Sequence, residues 1–209
     1  YNLRLWGYQF NNYGTLLYAD NNIKFQPTKS LSFSLAAQAG TDNQLNNTNN
    51  ALTNDNLGQI SSNFIGVQGI INYDWFSLNL GYNNVWGPSS AYGGGAIVTP
   101  YTYGFATDPL YTTPYMSGLA DLGTAGTAYK ISPTLTFING NLSLAPAYTI
   151  FNTALAEWNG TQEYDFVASY NVPQVKGLTL FGVYAYQQVP DANSNGSTYI
   201  TQLYVSYLY

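Results

Sequence analysis

The sequence has no cysteine and no histidine among its 209 residues, a single methionine, and only 5 basic against 10 acidic side chains, so 7% of it is charged and the formal net charge is −5. Each shortage removes a class of function. Without cysteine there is no disulfide framework, thiolate zinc site or cysteine nucleophile. Without histidine the commonest metal ligand and general base is missing, and with it any Ser-His-Asp triad. The expectation is a protein that is not an enzyme and carries no cofactor or metal. Five dispersed cations on an acidic chain do not supply the basic patch that nucleic acid requires. An ordinary soluble domain is about 25% charged, so this chain lacks the Lys and Glu that coat a water-facing exterior. No run approaches the roughly 20 apolar residues of a membrane helix. The sequence opens on a strand pattern, Tyr1-Asn2-Leu3-Arg4-Leu5-Trp6, without the segments of a signal peptide, as expected of a mature form or a piece of something longer.

What the chain does have is 45% hydrophobic and 17% aromatic residues, 21 of them Tyr, arranged with a period of two. Phe76, Leu78, Leu80 and Tyr82 alternate with Ser77, Asn79, Gly81 and Asn83, which puts apolar groups on one face of a strand and small polar groups on the other. Leu31, Phe33, Leu35 and Ala37 repeat this, as do Tyr129, Ile131, Pro133, Leu135 and Phe137, and Tyr164, Phe166, Ala168, Tyr170 and Val172. The pattern predicts strands over Tyr1–Tyr13, Thr15–Gln26, Leu31–Thr41, Ile60–Tyr73, Trp75–Trp86, Gly126–Ile138, Leu142–Asn152, Glu163–Val172, Gly177–Val189 and Thr198–Tyr209. Each is near or above the roughly 9–11 residues that a tilted strand needs to cross a bilayer.

The links alternate in length. Pro27 to Ser30, the Asp74 turn, Asn139 to Asn141 and Pro173 to Lys176 are short, whereas Asp42 to Gln59, Gly87 to Ala125, Thr153 to Gln162 and Pro190 to Ser197 are longer. Short turns at one end and long loops at the other are the pattern of an outer-membrane barrel. Only the link from Asn11 to Gly14 is short where a long one is due. Tyr73 and Trp75 at one end of a predicted strand pair, and Tyr82 and Trp86 near the other, suit the aromatic girdles of such a barrel. The expected fold is therefore all-β, an antiparallel transmembrane β-barrel of about ten strands in a single domain over residues 1–209. A soluble Tyr-rich sandwich or a fibre subunit would alternate too, but not with this charge deficit and loop asymmetry.

Candidate site residues follow from the cost of charge in lipid. Arg4, Asp20, Lys24, Lys130, Glu163 and Asp165 fall on polar strand faces, and a charge facing lipid at mid-bilayer costs roughly 2–4 kcal/mol, so all six are expected to line a pore. There they either bias which solutes pass or remain plain solvated residues. Glu163 and Asp165 share a face, as an acid-base or cation-binding pair would, but they read far better as two acids lining a watery wall. Loop 87–125 is long, apolar and aromatic. Loops beyond about 15 residues are usually functional or disordered, and this one is expected to fold inward as a constriction, carrying Asp108 and Tyr111, rather than form an extracellular lid. Gly93-Gly94-Gly95 within it lacks the strand-to-helix context and lysine of a phosphate loop and reads as loop flexibility.

Leu5-Trp6-Gly7-Tyr8-Gln9-Phe10-Asn11-Asn12-Tyr13 resembles the paired-aromatic strand and polar turn of OprD-like outer-membrane porins, campylobacter-type relatives included. Asp165-Phe166-Val167-Ala168-Ser169-Tyr170, with Pro173 and then Lys176-Gly177-Leu178-Thr179-Leu180, resembles the penultimate hairpin of that family, and the aromatic Tyr209 resembles the barrel insertion signal. The resemblance implies a barrel of about eighteen strands, of which this chain would be the C-terminal half. The small polar residues of its inner faces also fit a wider barrel than a closed ten-stranded one, whose lumen side chains would fill. It implies passive diffusion of small hydrophilic solutes or ions across the bacterial outer membrane, with membrane lipid as surroundings. Homotrimers are common for porins, although no patch in the sequence marks an interface. Only Arg4, Lys24 and Lys130 match the family's ladder of lumenal cations, so its solute preference does not carry over. The alternative is a structural or adhesive β-protein without pore activity.

Overall fold

The computed structural model describes residues 1–10, 14–45, 57–98, 109–190 and 196–208. Ten strands form one sheet: β1 Asn2–Phe10, β2 Gly14–Phe25, β3 Leu31–Gln44, β4 Ser61–Tyr73, β5 Phe76–Trp86, β6 Gly126–Phe137, β7 Leu142–Thr153, β8 Gln162–Asn171, β9 Leu178–Gln188 and β10 Thr198–Tyr207. Their order in the sheet is their order in the chain, and every neighbouring pair is antiparallel. The sheet is a partial barrel: β1 pairs only with β2 and β10 only with β9, which leaves two open edges. Tyr209 lies outside the described residues.

Register keeps the period-two pattern coherent from strand to strand, because directly paired residues share a face. Leu35, Gly69, Leu80 and Ile131 form one cross-strand row on the outer face, with Leu35, Leu80 and Ile131 all exposed. Phe166, Tyr184 and Pro146 form another. Gln38, Gly66 and Asn83 form a row on the opposite, inner face, and Lys130, Thr149, Glu163 and Gln187 form a second. Trp75 and Phe137 stack at the short-turn end, with ring centroids 6.5 Å apart.

The short turns use left-handed backbone. Asp74 has φ 43°, Ile138 has φ 54° and Asn139 has φ 52°. That conformation suits Asp and Asn, whereas for the β-branched Ile138 it is strained. At the opposite end the loops enclose the only sizeable apolar core among the described residues, built from Leu16, Phe64, Val85, Ile97, Leu119 and Phe151 with their neighbours. Gly93-Gly94-Gly95 belongs to this packed region and is not a flexible tether, contrary to the sequence expectation. All three glycines have positive φ, and a Cβ on Gly95 would lie 2.2 Å from the Gly87 nitrogen.

Candidate functional site: the inner face and its strap

The six charged residues expected on one wall do project from the same face, as the register requires. Asp20 lies opposite Arg4 on one side and Gln38 on the other, Lys24 opposite Ser34, and Lys130 opposite Gly81 and Thr149. They form two groups and one isolated residue. Arg4 Nε donates to Asp20 Oδ1 at 2.7 Å, and Trp6 Nε1 donates to Asp20 Oδ2 at 3.0 Å. Glu163, Asp165 and Lys130 meet on the far side of the sheet, under the long loop. Lys24 is exposed toward the short-turn end.

The described part of the long loop folds back over the inner face. Residues 109–117 cross it as a strap, held mainly by side chains of the wall. The Thr112 backbone N–H and hydroxyl both donate to Asn83 Oδ1, at 3.1 and 3.2 Å. Lys130 Nζ donates to the Thr113 carbonyl at 2.6 Å. The Tyr115 N–H donates to Asp165 Oδ2 at 3.2 Å and the Met116 N–H to Glu163 Oε1 at 2.5 Å. The Ser117 hydroxyl donates to Glu163 Oε2 at 3.0 Å and accepts from Gln187 Nε2 at 2.6 Å. The Tyr115 hydroxyl reaches Gln202 on β10. Further back along the loop, the Val98 N–H donates to Asp42 Oδ2 at 2.8 Å.

This arrangement solves a specific physical problem. A loop laid against a sheet has unpaired backbone groups, and a buried N–H without an acceptor costs about 1–3 kcal/mol. Carboxyl oxygens on the wall accept those N–H groups and so satisfy them. Glu163 and Asp42 are fully buried in doing so. Close approach also needs Gly81, where a Cβ would stand 3.0 Å from the Tyr111 carbonyl oxygen. Between strap and wall is a cavity of about 220 Å³, lined by Thr113, Tyr115, Lys130, Ser132, Ala147 and Asp165.

Tyr111 sits on the strap between these anchors and the Arg4–Asp20 pair. Burial pushes its hydroxyl pKa up, Asp20 adds to the rise, and Arg4 opposes it. Asp108, the other loop residue singled out by sequence, lies outside the described residues. Sequence reasoning missed Asn83, Gln187, Ser117 and Asp42. Nothing local marks an Asn or Gln on a polar strand face as an anchor, because the partner lies in a loop many residues away. It also missed that Trp6 and Tyr8 face inward. The outward positions of β1 are Leu3 and Leu5, 53% and 76% exposed, so the aromatic residues of this strand occupy the side of Arg4.

A chain-order antiparallel sheet with an apolar outside, a polar inside and a long loop folded across the interior is the architecture of outer-membrane β-barrel channels. Among solved structures the fold is similar to that of OprD from Pseudomonas aeruginosa, with 15% identity and a TM-score of 0.73, covering 98% of this chain and 56% of that one. It is also similar to OccAB3 from Acinetobacter baumannii, with 16% identity and a TM-score of 0.72 over 98% of this chain and 51% of that one. P. aeruginosa OpdK, solved with vanillate, gives 17% identity and a TM-score of 0.69 over 98% of this chain and 51% of that one. The likeness is one of fold, and the chain spans about half the length of these relatives. No family model matches the chain, and no curated protein matches it in sequence.

Proposed function

We propose that this chain forms the wall and constriction of a bacterial outer-membrane porin, a passive diffusion channel for small hydrophilic solutes and ions. The observation that carries the reading is the strap. A loop pinned through Asn83, Lys130, Asp165, Glu163 and Gln187 narrows the space in front of the polar face, while the other face offers Leu35, Leu80 and Ile131 to lipid. Two strand edges with unpaired backbone groups are not tolerated in hydrocarbon. Further strands joining β1 to β10 would satisfy them, and the chain would then be the C-terminal half of a larger barrel. Arg4, Asp20, Lys24, Lys130, Glu163 and Asp165 line the pore, and loop 87–125, with Asp108 and Tyr111, supplies the filter. No bond is made or broken, so the selecting elements are pore width and the field of these charges.

The test is single-channel conductance of the full-length protein refolded into a planar bilayer. Discrete current steps are expected, and N83A combined with E163Q, which weakens the anchors without removing the loop, is expected to enlarge them. Correctly folded protein that gives no steps would instead support an anchor or adhesin.

A further inference from the structure

Trp6, Tyr8 and Phe10 stand at alternate positions of β1, on the side of Arg4. The Trp6 and Tyr8 ring centroids are 6.3 Å apart and those of Tyr8 and Phe10 6.0 Å, with interplanar angles of 7° in both cases. Tyr18 on β2 flanks the row, 6.0 Å from Trp6 and 6.4 Å from Tyr8. Room for it comes from Gly40, where a Cβ would collide with both Tyr18 and Phe64. Phe10 and Tyr18 pack against the apolar core below the long loops. The other end is open: Trp6 is 39% and Tyr8 38% exposed. It terminates at Arg4, whose guanidinium carbon lies 6.0 Å from the Trp6 ring centroid.

Such a row is unexpected on a water-facing wall, where an exposed indole and phenol forgo the lipid boundary that normally holds them. A strand added to the free edge of β1 would pair within the plane of the sheet. The rings project off that plane, so it would flank the row without capping it.

We propose that this row is a contact track for uncharged saccharides; the proposal rests on the porin reading and names the solute class of that pore. The charges beside the row select the class. A solute using these rings needs an apolar face. A carboxylate-bearing one would also need a free cation beside them, but Arg4 is compensated by Asp20 at 2.7 Å, Lys130 donates to the Thr113 carbonyl of the strap, and Lys24 stands away from the row, toward the short-turn end. A pyranose ring presents C–H groups on one face and hydroxyls on its rim. The C–H face meets the aromatic surface, while the Arg4 terminal nitrogens donate to hydroxyls and the Tyr8 hydroxyl accepts from them. Rings spaced by two residues along the strand let a linear oligosaccharide pass from one contact to the next.

The experiment uses the full-length protein in a planar bilayer with maltohexaose as the probe and sodium benzoate as the charged aromatic comparison, alongside tryptophan fluorescence of the folded protein in detergent. Maltohexaose is expected to interrupt the current in a concentration-dependent way. W6A and Y8A are each expected to raise the half-blocking concentration about five-fold, as loss of one aromatic contact implies, with W6F less impaired and L5A, on the opposite face, unchanged. Fluorescence quenching by maltohexaose is expected in the wild type and lost in W6F. Current steps that maltohexaose leaves untouched would overturn the track while leaving the porin reading intact. Block that is equal in W6A, or benzoate block through Trp6 with the sugar inert, would overturn it as well. A silent bilayer with Trp6-dependent quenching would sustain the track and sink the porin reading.

Discussion

Leu80→Arg tests whether the apolar face meets lipid. β5 has 11 residues, and at a rise of about 3.3 Å per residue it is about 36 Å long; tilted by about 45° it spans roughly 25 Å, the height of the apolar band of an outer-membrane barrel. Leu80 is near the middle of that span, 47% exposed. Its outer-face neighbours are Gly69 and Ile131, which give a guanidinium nothing to pair with. The expected cost is about 2–4 kcal/mol, a drop of roughly 30- to 1000-fold in the folded-to-unfolded ratio. Trp86→Arg, at the strand end, is expected to cost about 0–1 kcal/mol from charge placement. Reversible urea unfolding in lipid vesicles reads both. Equal costs at the two positions, or none at Leu80, would mean that this face does not contact hydrocarbon, and the membrane reading would fail with it.

Three further outcomes are expected. Asp20→Asn leaves the Arg4 guanidinium uncompensated and shifts the permeability ratio toward anions by on the order of two-fold, whereas Arg4→Gln shifts it toward cations; reversal potentials in a salt gradient measure both, and shifts of the same sign would refute the pairing. Gly81→Val drives a branched side chain into the Tyr111 carbonyl and is expected to destabilise by about 1–3 kcal/mol, seen as a lower urea midpoint; a neutral result would show that the strap does not rest on β5. Ile138→Gly relieves a β-branched residue held at φ 54° and is expected to raise stability by about 1 kcal/mol, which the same titration checks; a lower midpoint would contradict the strain.

The strand elements were readable because one physical constraint wrote them. Each strand separates an apolar from a polar medium, so side chains such as Phe76, Ser77, Leu78 and Asn79 had to alternate, and predicted ends fall within about three residues of the observed ones at nearly every strand. That Arg4, Asp20, Lys24, Lys130, Glu163 and Asp165 share one face was readable for the same reason. The strap was legible as a long apolar loop expected to fold inward, but not in its attachment, which depends on pairings such as Thr112 with Asn83 and Ser117 with Gln187, where neither partner carries a local signature. The inward aromatic row was hidden by a competing expectation. Tyr and Trp near strand ends read as lipid girdle, although the alternation that turns Arg4 inward turns Trp6 and Tyr8 with it, and the pairing of Arg4 with Asp20 in register bears this out.

The strap also orders events during folding. It belongs to the connection between β5 and β6, yet several of its partners lie far downstream: Glu163 is 47 residues from Met116, Gln187 70 from Ser117 and Gln202 87 from Tyr115. Contacts of that sequence separation form only after long loops have closed, which makes them late and slow relative to the hairpins of adjacent strands. A nascent sheet that has reached β6 therefore offers the loop only the Asn83 and Lys130 anchors, and the Tyr115 and Met116 N–H groups still lack their carboxyl acceptors. The loop completes its set of partners only when β8, β9 and β10 have paired, so the last strands to join bring with them the groups that finish the interior.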